Sequence, residues 1–410
     1  MGVNVATTRS AIRGTAGTQD FTVTDFGTPK AALCFFNYCT SDGTPASNAV
    51  CSVGMTDGTN DRCVAIYSLD ARSTTDVHRA AFNDRIAGTS TSSIVIAFDS
   101  WVTDGVRINV TTTNGTQGFL TVVLLGGSDL SADVHECSPS TGGTDVTSVG
   151  FRPDMLFVIG HGGTMPQTGD TACVLSMGVA DYNAGSERNR CVLFGQQNGQ
   201  AASACEASAR NDSCCGQAYG AGVLSWRAAA SSFDSSGYTM TANANPGTDE
   251  VAVLALAFGG AVDCWVGTMD TPTSTGDDAQ AGPSFRPQFV GMLPTLCTSE
   301  NVIDTSSAGT VGVIAFDGTR EYCNTISDED SQGTTDCQTL SDDQAVNVPF
   351  DSGAAAFAAA FSSFDANGWT LTWSDTEETA YKWPAFAIEA EAAAPSGSPW
   401  YYYAQIKAVG

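Results

Sequence analysis

One hairpin-like stretch recurs three times along the chain and constrains the fold more than any other feature. It is clearest in residues 232–240 (SFDSSGYTM), is nearly repeated in 363–371 (SFDANGWTL) and is weaker in 99–108 (DSWVTDGVRI). Each copy combines a strand, a short polar turn ending in Gly and a second alternating strand. Gly has no Cβ and can adopt the positive φ values that tight hairpins use. Because the turn recurs at intervals of about 130 residues, the size of a typical domain, the chain is predicted to contain three related domains.

Other elements recur in the same order around these hairpins. A Pro that lacks a backbone donor precedes an apolar strand in each repeat, at Pro29, Pro153 and Pro287. An apolar strand closes each repeat, at residues 119–127, 251–260 and 381–388. The third of these contains Trp383-Pro384, which predicts an edge or bent strand because Pro cannot donate to a ladder.

The composition favours short strands joined by turns. The chain has 410 residues, of which 42% are hydrophobic and 43 are Gly, and it lacks long runs rich in Glu, Lys and Leu. Turn signals every 8–12 residues or so are typical of sandwiches and barrels. The predicted fold class is all-β, with three tandem β-sandwich or jelly-roll-like repeats of about 130 residues.

The repeats and the segments between them give a predicted domain organisation. An irregular N-terminal arm and an aromatic C-terminal tail flank the three repeats. The predicted boundaries are arm 1–21, repeat 22–138, linker 139–148, repeat 149–271, linker 272–283, repeat 284–390 and tail 391–410. The tail contains PWYYY at 399–403, and an aromatic cluster of this kind is expected either to fold back on the third repeat or to dock on a neighbouring subunit.

The net charge excludes several function classes. The formal charge is −27, with 17 basic residues against 44 acidic ones. Such a surface repels phosphate backbones and anionic lipid, so we expect neither nucleic acid nor a membrane surface as partner.

The distribution of apolar residues predicts neither a membrane span nor an export signal. No apolar run is long enough to span a bilayer, and residues 1–19 lack the apolar core of an export signal.

The fourteen cysteines show no zinc-type spacing. Cys63, Cys191 and Cys323 fall at matching places in the three repeats. Two interpretations remain open, namely small buried hydrophobic residues in equivalent strands and disulfides between neighbouring strands.

No motif identifies a reaction. Residues 160–163 (GHGG) follow a strand, as oxyanion loops of esterases do, but no nucleophile elbow accompanies them, which favours a flexible loop with an incidental His161. The other histidines, His78 and His135, lie in different elements without metal-ligand spacing. The acidic stretches 328–333 and 57–61 are oxygen-rich, yet the first lacks the final Glu of a calcium loop, and both are expected to be solvated turns. We therefore predict no catalytic, cofactor-binding or metal-binding residues.

Three polar segments differ most between the repeats. They span residues 70–92, 194–220 and 324–345. Loops that vary on a constant scaffold are where binding specificity usually lies, so these segments are the predicted binding loops.

The repeated pattern resembles a known class of proteins. Phe-x-Pro before an apolar strand, Ser-x-Gly, and Ser-Phe-Asp-x-x-Gly-Tyr/Trp-Thr before a closing strand and Gly-Gly are similar to repeat domains of virion proteins of tailed bacteriophages, of the tail or tail-fibre type. The resemblance covers about residues 22–390, and the third repeat departs from it at Trp383-Pro384 and in lacking the closing Gly-Gly. These motifs are strand starts and turns.

The resemblance implies a non-enzymatic structural protein of a tailed-phage virion. Its leading form is a tail fibre or tail-tip component that contacts the host surface. The alternatives are a capsid decoration or head spike protein, and a free-standing glycan-binding β-sandwich module. The implied location is the virion, assembled in the host cytoplasm and exposed on the particle. The implied partners are other virion proteins, further copies of the chain in a homo-oligomer such as a trimer, and host surface glycans. A fibre predicts domains in line, and a decoration protein predicts compact packing.

Overall fold

The computed structural model describes residues 2–390 except 116, 184, 202–203, 221, 261, 306–308, 331 and 350–354. Strands make up 59% of the chain, and the described residues contain no helix. The predicted all-β fold class is confirmed. Accordingly, nothing in the described part of the chain is a helix that could cross a membrane.

The described residues form thirty-two strands in three successive groups, which we call units 1, 2 and 3. Unit 1 contains β1 Asn4–Ala11, β2 Gly17–Thr22, β3 Pro29–Asn37, β4 Ala46–Ser47, β5 Ala49–Thr56, β6 Asp61–Ser68, β7 Val77–Phe82, β8 Ala87–Gly88, β9 Val95–Val102, β10 Gly105–Thr112 and β11 Phe119–Gly126. Unit 2 contains β12 Ser131–Cys137, β13 Thr144–Val146, β14 Met155–Gly160, β15 Gln167–Asp170, β16 Cys173–Asn183, β17 Ser186–Gln196, β18 Cys205–Arg210, β19 Cys215–Ala218, β20 Leu224–Asp234, β21 Gly237–Ala242 and β22 Val251–Ala257. Unit 3 contains β23 Cys264–Asp270, β24 Gly276–Gln280, β25 Pro287–Met292, β26 Gly309–Phe316, β27 Glu321–Asp328, β28 Cys337–Asp342, β29 Val346–Pro349, β30 Ala355–Asp365, β31 Gly368–Asp375 and β32 Lys382–Glu389.

Each unit forms one large and one small antiparallel sheet, and the strand order is the same in all three. The large sheets run β1-β11-β3-β5-β6-β7-β15, β12-β22-β14-β16-β17-β18 and β23-β32-β25-β26-β27-β28-β4. The small sheets run β2-β10-β9-β8, β13-β21-β20-β19 and β24-β31-β30-β29.

Within a unit the two sheets pack face to face as a sandwich. In unit 1, Val122 and Leu124 of the large sheet share one buried cluster with Ile96 and Ile108 of the small sheet. Units 2 and 3 have corresponding clusters between their sheets. Each sandwich therefore has its own core.

The other face of every large sheet enters a second core that all three units share. Along β11, Leu120, Val122 and Leu124 belong to the unit 1 sandwich, while Val123 and Leu125 belong to the shared core. This alternation follows from the two-residue period of a strand. Because both faces are buried, the large sheets contain nearly continuous apolar runs.

Aromatic side chains mark the centre of the shared core. The ring of Phe157 in unit 2 lies 6.2 Å from that of Phe35 in unit 1 and 6.1 Å from that of Phe386 in unit 3, measured between centroids. Phe386 also lies 5.8 Å from Phe289. The three units are therefore grouped around one core and are not strung out in line.

Each unit covers the outer edge of another unit's large sheet, in cyclic order. β15 of unit 2 pairs with β7 of unit 1, and β4 of unit 1 pairs with β28 of unit 3. The circle closes where Glu300 and Asp304 of unit 3 bridge to β18 of unit 2. Edge strands are thereby protected from pairing with other chains.

Three carboxylates reinforce this ring at equivalent positions. Asp57 Oδ2 accepts the backbone N–H of Val134 at 2.9 Å, joining unit 1 to unit 2. Asp181 accepts the N–H of Val266, joining unit 2 to unit 3. Asp317 Oδ2 accepts the N–H of Thr7 at 2.8 Å, joining unit 3 to unit 1. Hydrogen bonds to charged acceptors are the stronger kind, so these contacts help to close the ring.

The predicted boundaries differ from the observed strands. The predicted arm 1–21 holds β1 and β2, and the predicted linkers 139–148 and 272–283 hold β13 and β24. Residues 131–137, placed at the end of repeat 1, pair with β22 in unit 2. These strands are short or polar, and they are recognisable only through partners more than 80 residues away. The tail 391–410 lies outside the described residues.

The three predicted hairpins are present, but positive φ is not the reason that all three need glycine. Gly105 and Gly237 do not have a positive φ, whereas Gly368 has a φ of 159°. A Cβ on Gly237 would lie 1.6 Å from the carbonyl oxygen of Val146, and one on Gly105 would lie 2.0 Å from that of Phe21. Glycine is needed because a neighbouring backbone approaches so closely.

The strand that contains Trp383-Pro384 was expected to be either an edge or a bent strand, and the structure makes it an interior strand, so the edge alternative is wrong. β32 lies between β23 and β25. The carbonyl of Pro384 accepts the N–H of Leu293 at 2.8 Å, and Trp383 is fully buried. The interruption is tolerated because β25 ends beside Ala385, one residue from the proline.

The cysteines behave as small buried hydrophobic residues. All fourteen lie in the described part of the chain, and all are buried free thiols. Cys63, Cys191 and Cys323 occupy equivalent positions in the three units. Each is the first paired residue in the β6–β7, β17–β18 or β27–β28 ladder, opposite Phe82, Arg210 and Asp342 respectively. Burial raises the pKa of Cys63 to about 12, so this thiol stays protonated and unreactive.

Candidate functional site

A pocket of about 190 Å³ opens at one end of unit 1. Its walls combine two aromatic rings, three hydroxyl side chains, one amide and one aliphatic side chain. The lining residues are Tyr38, Val50, Tyr67, Thr89, Thr91, Ser93 and Asn114. We call it the tyrosine pocket.

The fold brings these residues together from five places in the chain. Tyr38 directly follows β3, Val50 lies in β5 and Tyr67 lies in β6, so the large sheet supplies the floor. The hydroxyl residues come from the turn between β8 and β9, and Asn114 follows β10. Three adjacent strands hold the floor, and ladder pairing fixes their relative positions.

Hydrogen bonds within the turn orient its hydroxyl groups. Thr89 Oγ1 lies 2.9 Å from Ser93 Oγ and 3.5 Å from Thr91 Oγ1. Thr89 Oγ1 also accepts the N–H of Ile94 at 3.2 Å. Ser92, at the tip of this turn, has a φ of 56°.

The two tyrosines have different surroundings. The hydroxyl of Tyr38 accepts a hydrogen bond from the Asn114 amide at 2.9 Å. The Tyr67 ring is stacked against His78, with centroids 6.1 Å apart. Burial, and then the nearby carboxylate of Asp76, raise the pKa of Tyr67, so it remains a neutral phenol that can both donate and accept.

The pocket is a feature of unit 1 among the described residues. Tyr67 is the penultimate residue of β6, and the residues at the equivalent ladder position are Gly195 in unit 2 and Ser327 in unit 3. In unit 2 a Cβ on Gly195 would lie 2.1 Å from the carbonyl oxygen of Ala218, so backbone fills the space. The pocket thus results from a local difference on a repeated scaffold.

A buried polar cluster lies where the three units meet. The last residues of β6, β17 and β27 are Ser68, Gln196 and Asp328, and all three are at most 1% exposed. Ser68 Oγ donates to Asp328 Oδ2 at 2.9 Å. The Gln196 amide lies beside the same carboxyl group, but Asp328 Oδ1 has no partner in hydrogen-bonding geometry. Burial raises the pKa of Asp328 to about 8.

A larger cleft, of about 630 Å³, lies between units 2 and 3. Arg190 and Lys382 line it together with acidic residues. Lys382 Nζ pairs with Asp270 at 2.6 Å, and Arg190 Nε donates to Thr268, whose hydroxyl in turn donates to Glu300. Its charges are satisfied internally, which is typical of a structural interface.

The histidines do not come together. His161 is fully buried, its ring bonds to Gln167 and its carbonyl accepts from Arg79, so it is part of a packed interface and not of the flexible loop predicted from GHGG. Burial and the Arg79 charge lower the pKa of His161 to about 4.

The two remaining histidines lie in separate settings. His135 bridges Asp133 and the Tyr238 hydroxyl at 2.6 and 2.7 Å, and this chain ends in the unit 2 core. His78 bonds to Asp76 and stacks on Tyr67. Asp133, His135 and Tyr238 are linked in the order of an acid–base relay, but Tyr238 at the end of this chain is buried.

The acidic stretches have structural roles. Asp57 Oδ1 accepts the N–H groups of Thr59 and Asn60 at 2.7 Å each, which makes 57–61 a self-capped turn. The sequence predicts a solvated turn at 328–333, but Asp328 belongs to β27 and is buried. It lies with Ser68 and Gln196 where the three units meet, a region that we call the junction.

Another acidic group carries no signal in the sequence. Carboxylate oxygens of Asp42, Asp342 and Asp343 approach within 4.8 Å of one another at the rim between units 1 and 3. Asp42 pairs with Arg9, and Asp342 accepts from Asn347 and from the backbone of Asp343. Residues of different units form the group, so only the tertiary fold shows it.

The predicted binding loops are largely buried. Segment 70–92 contains β7 and β8, segment 194–220 contains β18 and β19, and segment 324–345 contains β28. Their turns interlock: Thr75 Oγ1 donates to the carbonyl of Gln197, and Thr335 bonds to the backbone of Leu69 and Arg72. The three segments differ in sequence because each forms a different part of the contact between the units. Within them, Thr89 and Thr91 reach the tyrosine pocket.

Comparison of the chain with protein families, with curated proteins and with solved structures finds no match.

Proposed function

We propose that this chain is a non-enzymatic structural protein exposed on a tailed-bacteriophage particle, where it contacts the host surface. The observation that carries the proposal is the closed ring of three sandwiches within one chain. One edge of every large sheet is paired with another unit, and carboxylates join successive units. Such an assembly resists fraying and edge-to-edge aggregation, as a particle surface requires.

The packing of the three units favours some positions on a particle over others. Domains arranged in line suit the shaft of a fibre, whereas these units share one core. This grouping favours a compact module mounted at a tail tip or on a capsid, as a decoration or spike, over a segment of an extended fibre. The ring of three similar units also suits a mount on a threefold or trimeric partner.

The surface chemistry supports exposure outside the cell. The formal charge of −27 favours solubility and disfavours contact with nucleic acid. The fourteen thiols are buried, so no disulfide is needed for the fold.

The experiment is electron cryo-microscopy of particles from a producing host, with mass spectrometry of the same preparation. The expected result is density for the three-unit ring at a tail tip or on a capsid shell. Purified particles that lack the chain, with the chain recovered as free protein, would overturn the proposal. The tyrosine pocket would then favour the second candidate, a free-standing glycan-binding module.

A further inference from the structure

We propose that the tyrosine pocket binds a single neutral sugar residue. This inference deepens the proposed function, because the sugar would be the ligand through which the protein contacts the host surface. Only that biological role of the sugar rests on the proposed function.

The size of the pocket fits one sugar ring. Its volume of about 190 Å³ is far more than the roughly 10–15 Å³ that a single buried water needs. That space admits one pyranose ring. Thr91 and Asn114 are exposed at its rim, so a longer glycan can continue into solvent from a terminal residue held inside.

The lining matches the two kinds of surface on a sugar. Tyr38, Tyr67 and Val50 offer apolar faces on which the C–H groups of a pyranose can pack. The hydroxyls of Thr89, Thr91 and Ser93 both donate and accept, as sugar hydroxyls do. These hydroxyls already bond to one another within the turn, and their remaining donor and acceptor capacity can pair with sugar hydroxyls.

The charges select against anionic ligands. The lining residues include neither Lys nor Arg. The carboxylate of Asp76 lies close enough to Tyr67 to raise its pKa. Arg72 also acts on Tyr67, but it is not among the lining residues, so sialic acids, uronic acids and phosphorylated sugars would find no cation in the pocket wall to pair with.

The tyrosines have distinguishable roles. The Tyr67 ring is held in place by stacking on His78, so it can act as a fixed platform. The Tyr38 hydroxyl is fixed by the Asn114 amide, which leaves its proton directed elsewhere and available to a ligand oxygen. Loss of the Tyr67 ring should therefore weaken binding more than loss of the Tyr38 hydroxyl.

The test uses the purified full chain and saturation-transfer NMR, with titrations for any sugar that responds. The probes are the methyl glycosides of glucose, galactose, mannose and N-acetylglucosamine, with sialic acid as the anionic probe. At least one neutral glycoside is expected to bind with a Kd of about 1 mM, typical of a weak single-site contact. Tyr67→Ala should weaken this binding at least tenfold and Tyr38→Phe severalfold. Tyr219→Ala, at an exposed tyrosine in unit 2, should leave it unchanged.

Each outcome decides the inference. Binding of none of the neutral glycosides, stronger binding of sialic acid, or equal binding by wild type and both pocket variants would overturn it. If Tyr67→Ala unfolds, Tyr38→Phe still decides, because it removes one oxygen and no ring. Failure is separable from failure of the proposed function: a chain that binds sugar but is absent from particles keeps the pocket and loses the virion role, and the reverse result does the opposite.

Discussion

The outer small sheets and the junction of the three units are built on different principles. The centre of each small sheet is a local hairpin, β9–β10, β20–β21 or β30–β31, whose strands pair within a few residues of the turn. The junction is made of residues far apart in sequence, such as Ser68, Gln196 and Asp328, which are equivalent in position but different in chemistry. The hairpins are therefore conserved between units in sequence, and the junction is not.

The difference shows how a repeated scaffold becomes one closed object. A small sheet has the same task in each unit, namely to cover one side of its own large sheet, and the same residues perform it three times. At the junction three copies of one element meet, and identical side chains would crowd or repel one another. Replacing a threefold set of like residues by a hydroxyl, an amide and a carboxyl lets them pair. The same logic gives unit 1 a pocket where unit 2 has Gly195 and unit 3 has Ser327.

The largest expected effect comes from emptying the shared core. Phe157→Ala should lower the free energy of unfolding by about 3–5 kcal/mol, because the ring is 1% exposed and contacts units 1 and 3. Phe98→Ala, on a partly exposed ring of the unit 1 small sheet, should cost about 1 kcal/mol. Urea unfolding followed by tryptophan fluorescence measures both. Equal costs for the two variants would contradict the idea that the junction holds the units together.

A smaller effect is expected in a small sheet. Gly237→Ala places a Cβ 1.6 Å from the carbonyl oxygen of Val146, so β13 must move away from β21. We expect a loss of about 2–3 kcal/mol, as in other overpacked sites. The matched control is Gly142→Ala in the same unit, where no atom lies within 4 Å of the new Cβ. Thermal unfolding should separate the two variants, and a Gly237→Ala protein as stable as the control would refute the close approach.

The buried carboxyl at the junction should make stability depend on pH. The pKa of Asp328 is about 8 in the folded chain against an ordinary value of 3.8, so the folded state holds the proton more tightly. The stability it contributes is complete below about pH 4 and is lost progressively as the pH rises to about 8. Asp328→Asn removes this titration while keeping shape and a donor.

We therefore expect Asp328→Asn to match wild type at pH 4 and to exceed it by about 2 kcal/mol at pH 8. Asp99→Asn, at an exposed position on the unit 1 small sheet, should differ from wild type by less than about 0.5 kcal/mol at both values. Chemical denaturation at the two pH values measures the difference. A constant offset between Asp328→Asn and wild type at both values would exclude a buried, titrating carboxyl.

The same contrast explains what could be predicted from the sequence. The hairpins, the proline-led strands and the apolar closing strands carry local patterns of period two, and these predict an all-β chain. Local patterns do not reveal β1, β2, β13 and β24, because these strands are short or polar and their partners are distant in sequence. The sequence therefore predicts an arm at 1–21 and linkers at 139–148 and 272–283.

The candidate site was harder to predict, for a related reason. Tyr38, Tyr67 and Asn114 are separated by strands and carry no motif, and only ladder pairing makes them neighbours. Polar composition indicated loops in 70–92, 194–220 and 324–345, yet their hydroxyls and amides bond to backbone inside the junction. Composition alone does not distinguish a polar group facing water from one facing another strand's backbone.

The smallest expected effect lies at the exposed rim of the junction. Asp343 is exposed and lies within 4.8 Å of Asp42 and Asp342, measured between carboxylate oxygens. Partial burial, and then its contact with Asp342, raise the pKa of Asp343. Because the folded state favours the protonated form, Asp343→Asn should stabilise the chain above the ordinary carboxyl range and lose this advantage as the pH falls below it. Solvent screening limits the gain to less than about 0.5 kcal/mol, and added salt should reduce it further.

Differential scanning calorimetry at pH 7 measures this gain in stability, with Asp277→Asn on the exposed β24 as the control. A gain at the rim as large as that of Asp328→Asn would show that the rim is as shielded from water as the centre, and the distinction between the buried junction and its exposed border would be lost.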